Sequence, residues 1–185
     1  MPSELLSRAF KPEMVADGRN ITGIAIPWNT VARVSDGGPS YLESFAPGSA
    51  DKTLRERASV PFPLGMEHPW IPGRENLPQD PVGFVRFRSS KEGLLFEGRV
   101  IEGAEGDAIL GRIQDGSLPD VSVGFVSHKQ KPVSTSQGSV VLRTEVALFE
   151  LSLTANGAYE GAGVLAVREK TTMSLAELRK KAVLL

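Results

Sequence analysis

The chain has no cysteine, and its 185 residues include only two histidines, two tryptophans and two tyrosines. Without cysteine, disulfides, thiolate nucleophiles and thiolate metal sites are excluded in any compartment, so a nucleophile has to be an oxygen or a nitrogen. An excess of one charge is lacking too. The 21 basic and 22 acidic side chains leave a formal net charge of -1, which gives no electrostatic reason to expect nucleic acid or an anionic membrane as partner. No stretch approaches the length needed to span a bilayer, and the opening MPSELLSRAFKPEMVADGR has no apolar signal-peptide core. The expectation is a soluble protein that acts in a cytoplasm.

What is present points to β structure. The 19 glycines and 13 prolines are scattered without period, as suits short strands and tight turns, and the length fits one ordinary domain. Residues 1–18 mix charges with isolated Leu5, Leu6 and Phe10 and are expected to form an arm, with order beginning at Arg19. NITGIAIPW reads as a strand with Ile24 and Ile26 on one face, and 29–40 reads as a loop. Ala50, Leu54 and Ala58 recur at helical spacing with Ser49 as cap.

The stretch 81–101 reads as a hairpin in which Val85, Phe87, Leu94, Phe96 and Val100 alternate with charged residues around a Lys91–Gly93 turn. Ile109, Leu110 and Ile113 predict a second helix stopped by Gly116. Further strands are expected at 121–127, 139–147, 149–155 and 163–168. A capping box at Ser174 and Glu177 suggests a tail helix. The fold expected is mainly β, a barrel or sandwich of roughly seven strands with two or three peripheral helices. Its domain spans 19–168 and its tail 169–185.

One segment raises a chemical question. In LPDVSVGFVSH, residues 118–128, strand alternation that sends Val121, Val123 and Phe125 inward leaves Ser122 and Gly124 on the opposite face. That serine is either a polar outward position beside a twist-permitting glycine, or a hydroxyl presented to a peptide that the bare glycine lets approach. A serine needs a base. His128 would lie about 20 Å away along an uninterrupted strand at ~3.3 Å per residue, and reads as a surface histidine.

His68, in LGMEHPW, is the other choice; Pro69 is expected to hold it on an extended backbone, with Trp70 as a wall. In FELSLTA, the apolar set Phe149, Leu151 and Leu153 leaves Glu150 and Ser152 together on the second face. Glu150 is therefore a candidate for the carboxylate that orients a catalytic imidazole, with Glu67, Asp120 and Glu145 as competitors. A metal-dependent hydrolase built on His68 would have a sparse ligand set.

GIAIPW, YLESFAPGS, PLGMEHPW, PVGFVRF with GLLFEGRV, IQDGSLPDVSVGF and LFELSLTANGAYEGAGVLAV follow one another in an order and spacing that resemble the prohead proteases of tailed bacteriophages, from about Gly23 to Val167. The resemblance implies a β-barrel related to the herpesvirus assembly proteases and a serine endopeptidase active in capsid maturation, with His68 as base and Ser122 as nucleophile. Where the herpesvirus enzymes use a second histidine, Glu150 is the candidate for the third place. It also implies the scaffold segment of the major capsid protein, or a separate scaffold, as substrate, together with the protease itself. Work inside the assembling procapsid follows, with no cofactor and no metal, and with self-association open. The loop 71–81, longer than the resemblance leads one to expect, is a candidate substrate rim, and the tail or the arm a docking or self-cleavage element. A catalytically silent barrel serving as scaffold or assembly factor is the alternative.

Overall fold

A computed structural model describes residues 5–10, 15–35, 39–70, 73 and 75–155. Among the described residues ten strands form one sheet: β1 Leu5–Phe10, β2 Val15–Asp17, β3 Asn20–Pro27, β4 Ala32–Val34, β5 Tyr41–Phe45, β6 Phe62–Met66, β7 Gly83–Ser89, β8 Gly93–Val100, β9 Asp120–Thr135 and β10 Gly138–Thr154. Helices α1, Asp51–Glu56, and α2, Ala104–Gln114, accompany it. The main path runs β1-β9-β10-β6-β7-β8-β3-β2, with β5 paired to β10 and β4 to β5. The sheet curls into a half-barrel of seven strands, so the mainly-β expectation holds.

The predicted hairpin is β7 and β8, with Val85, Leu94, Phe96 and Val100 in the core and Phe87 packed against it. α2 buries Ile109, Leu110 and Ile113 as its spacing requires, and Gly116 after it has φ 78°. Val121, Val123 and Phe125 are fully buried and meet Leu151 and Leu153 inside the barrel.

Several expectations are corrected. The two strands expected at 139–147 and 149–155 are one, β10, because bulges between Arg143 and Val146 and between Leu148 and Glu150 absorb the breaks in alternation without ending the ladder. The second bulge moves Phe149 out of the core, leaving it 46% exposed, so the buried set is Leu148, Leu151 and Leu153. A bulge between Ile24 and Ile26 likewise makes Ala25 and Ile26 buried while Ile24 is only half-buried.

Ser49 does not cap α1: Ala50 holds that position without a side-chain bond, and the Ser49 hydroxyl is buried with no partner among the described residues. Ser49 instead accepts the Val146 N–H at its carbonyl (2.8 Å), while Thr53 Oγ1 donates to the Val146 carbonyl (3.1 Å) and accepts the Leu148 N–H (3.3 Å). The helix thereby satisfies backbone groups that the β10 bulges leave open. Ala58 lies beyond the helix and is exposed.

The stretch read as an arm contributes β1, which pairs with β9, and β2, which pairs with β3. The loop expected at 29–40 contains β4. The strand expected at 163–168 and the tail helix lie outside the described residues.

Candidate active site

Antiparallel pairing of β9 with β10 sets Ser122 opposite Ser152 and Gly124 opposite Glu150, and side chains directly opposite in a ladder share a face. All four therefore lie on the face turned away from the core, as the alternation in the two segments predicts. Gly124 is needed there for a reason other than the one the sequence suggests. A Cβ at this position would stand 2.7 Å from Glu150 Cγ and Oε1, so the space a side chain would fill holds the carboxylate, not an approaching peptide.

His68 reaches the same place from β6, which runs parallel to β10 with Gly65 beside Ser152. Its backbone is not extended: Glu67 and His68 have φ of 54° and 57°, two consecutive non-glycine residues in the left-handed region. Such residues cost of order 1–3 kcal/mol each and persist only where their surroundings hold them. Three anchors do so. The Glu67 N–H donates to the Leu153 carbonyl (3.0 Å), the Glu67 carboxylate accepts from Thr154 Oγ1 (3.0 Å) and the Ala155 N–H (2.9 Å), and the His68 N–H donates to Ser152 Oγ (3.1 Å). The pre-proline preference for extended backbone yields to this clamp, which turns the chain back over β10.

The imidazole Nδ1 then meets Glu150 Oε1, with His68 5% and Glu150 2% exposed. Ser152 donates its hydroxyl to the second carboxylate oxygen, Oε2, at 2.6 Å. Facing a carboxylate, Nδ1 carries the ring proton, and Nε2 is left as the acceptor, the tautomer a general base requires. Gly65 keeps this arrangement compact, since a Cβ there would stand 2.8 Å from both Ser152 Oγ and Trp70 Cζ3 and 2.9 Å from Pro69 Cδ.

The competing acids are engaged elsewhere. Glu67 clamps the turn. Glu145 pairs with Lys129 and Lys52, and the Lys129 hydrogen bond holds its carboxyl below the ordinary range. Asp120 is buried opposite Thr154. His128 is exposed on β9 near the bulges, a surface residue as expected.

Arg143 is not placed to serve as an oxyanion donor. It is buried against Glu43 (2.6 Å) and donates to Tyr41 Oη (2.9 Å) and Gln130, seven residues from Glu150, or roughly 23 Å along β10. Ser152 is the residue whose part in the site sequence reasoning missed. Its placement on the Glu150 face was visible in FELSLTA, but its two hydrogen bonds, accepted from the His68 N–H and donated to Glu150, were not.

An apolar hollow of about 390 Å³ adjoins Glu150, lined also by Pro63, Trp70, Pro81 and Phe149. Trp70 is fixed over it by a bond from Nε1 to the Gln79 carbonyl (3.1 Å). A larger hollow of about 600 Å³ lies over β3, β7 and β8, away from all of these residues. Among the described residues no group of three or more His, Cys, Asp or Glu side chains could hold a metal ion, and no helix is long and apolar enough to cross a membrane.

The family model described as caudovirus prohead serine protease matches residues 8–176. The chain belongs to the caudovirus prohead serine protease family. Among solved structures, the bacteriophage T4 capsid assembly protease, gp21, superposes with a TM-score of 0.56 at 15% sequence identity, over 83% of this chain and 98% of that one. At that identity the likeness speaks to the fold. The search of curated proteins finds no match.

Proposed function

We propose that this prohead protease is a serine endopeptidase in which Ser122 is the nucleophile, His68 the general base and Glu150 the residue that orients the base. The observation that carries this reading is the buried His68–Glu150 contact, made on the sheet face that the β9–β10 register also gives to Ser122. In this scheme Ser122 Oγ attacks a peptide carbonyl while its proton passes to His68 Nε2. The imidazolium is stabilised by Glu150, then protonates the leaving amine, and water hydrolyses the acyl-enzyme. Ser152 is a positioning residue: it holds the carboxylate and the His68 backbone at once.

The substrate is the scaffold segment of the major capsid protein or a separate scaffold, cut within the procapsid, with cleavage of the protease itself as a further event. In this scheme the apolar hollow beside Glu150 receives an apolar side chain of the substrate.

The rival, a silent barrel acting as a scaffold or assembly factor, draws on one observation, the 1% exposure of Ser122. Co-expression with the capsid protein of the same phage separates the two. The proposal expects processed capsid protein with the intact chain and full-length capsid protein with Ser122→Ala. Equal processing in both would overturn it.

A further inference from the structure

Residues 5–10 lie along the edge of β9 that Ser122 borders. β1 runs antiparallel to β9, with Leu5 opposite Val126, Ser7 opposite Gly124 and Ala9 opposite Ser122. The other edge of β9 belongs to β10. Ser122 is 1% exposed, so no peptide reaches it until a neighbouring element yields. β10 is not that element, because it carries Glu150 and Ser152 on one face and the core residues Leu151 and Leu153 on the other. Among the described residues β1, six residues long, stands at the end of the sheet and is paired only with β9.

We infer that the β9 edge is the binding surface for an extended peptide substrate and that residues 5–10 occupy it in cis. The inference rests on the protease reading above and adds to it how the substrate is held and what keeps the resting site closed. An extended peptide added to a sheet edge is bound through main-chain hydrogen bonds, which ask little of its sequence. The register gives it a direction. Successive residues pair from Val126 toward Ser122, so the chain arrives at the nucleophile from its amino-terminal side, with the backbone around position 9 opposite the serine. A tethered strand competes at an effective concentration of order mM, so free peptide at micromolar concentration is excluded until β1 leaves.

The test is the rate at which a fluorophosphonate modifies Ser122, followed by mass spectrometry, with folding checked by thermal melting. Three chains are compared: the intact chain, one lacking residues 1–10, and one carrying Ser7→Pro with Arg8→Pro. Adjacent N–H groups in a strand point to opposite sides, so the double substitution removes a donor toward β9 whichever residue supplies it. Both altered chains are expected to react at least roughly tenfold faster than the intact one. A synthetic peptide with the sequence of residues 1–12 should slow the truncated chain again. Equal rates in folded chains, failure of the peptide to compete, or loss of the cooperative melt in both altered chains overturns the inference, the last because β1 would then be part of the core fold. Absence of a Ser122 adduct in all three, however long the exposure, removes the protease reading itself, whereas adducts formed at equal rates remove only this inference.

Discussion

Glu150→Gln is the substitution that probes the site most finely, because it keeps size and shape and changes one hydrogen-bonding atom. The carboxylate accepts at both oxygens, from His68 Nδ1 at Oε1 and from Ser152 Oγ at Oε2. An amide can accept at only one of them. If its oxygen stays toward His68, the amide nitrogen faces the Ser152 hydroxyl, whose oxygen also receives the His68 N–H at 3.1 Å, and Ser152 has to give up its own donation. If the amide turns over, its nitrogen faces Nδ1 and forces the ring proton to Nε2, which disables the base toward Ser122.

Both orientations also remove the negative charge that stabilises the imidazolium. In established serine hydrolases the corresponding loss lowers kcat by about 10⁴, so a drop of roughly 10³ to 10⁴, or about 4 to 5.5 kcal/mol, is expected. The stability cost should be about 1–3 kcal/mol, that of one buried group left without a partner. Fluorophosphonate reaction rate measured beside a thermal melt checks both. A folded Glu150→Gln protein that reacts within about threefold of the unaltered chain would refute the assignment of Glu150, since so small a change is under about 0.7 kcal/mol.

Gly124→Ala should act on the same carboxylate, because the added Cβ would stand 2.7 Å from Glu150 Oε1; a loss of about 1–3 kcal/mol in urea denaturation, together with slower Ser122 modification, is expected. Glu43→Ala should destabilise by about 3–5 kcal/mol by stranding buried Arg143, while the folded fraction keeps its reaction rate, because this pair lies far along β10 from Glu150. Glu67→Ala should release the left-handed turn from Thr154 and Ala155, slowing Ser122 modification more than it lowers the melting temperature.

The hairpin of β7 and β8 was legible because its apolar residues alternate without interruption and its turn residues are adjacent. The shared face of Ser122, Gly124, Glu150 and Ser152 was legible for the same reason, although the bulge at Phe149 means that the apolar set was drawn one residue wrong at its start. A bulge has no reliable signature in a run such as VALFELSL, which opens on four consecutive apolar residues.

The left-handed turn at Glu67 and His68 was opaque, since the following proline argues for extended backbone and the clamp that overrides it comes from Thr154 and Ala155, far away in the chain. β1 was hidden by its own composition. LLSRAF lacks alternation, and only the distant edge of β9 makes it a strand.

The account's central claim is that Ser122 is a nucleophile served by His68. Peptide mapping after fluorophosphonate treatment tests it most directly. A single adduct at Ser122, lost in His68→Ala protein that still melts cooperatively, is the predicted result; an adduct at another serine, or one at Ser122 that persists at an undiminished rate without His68, would contradict it.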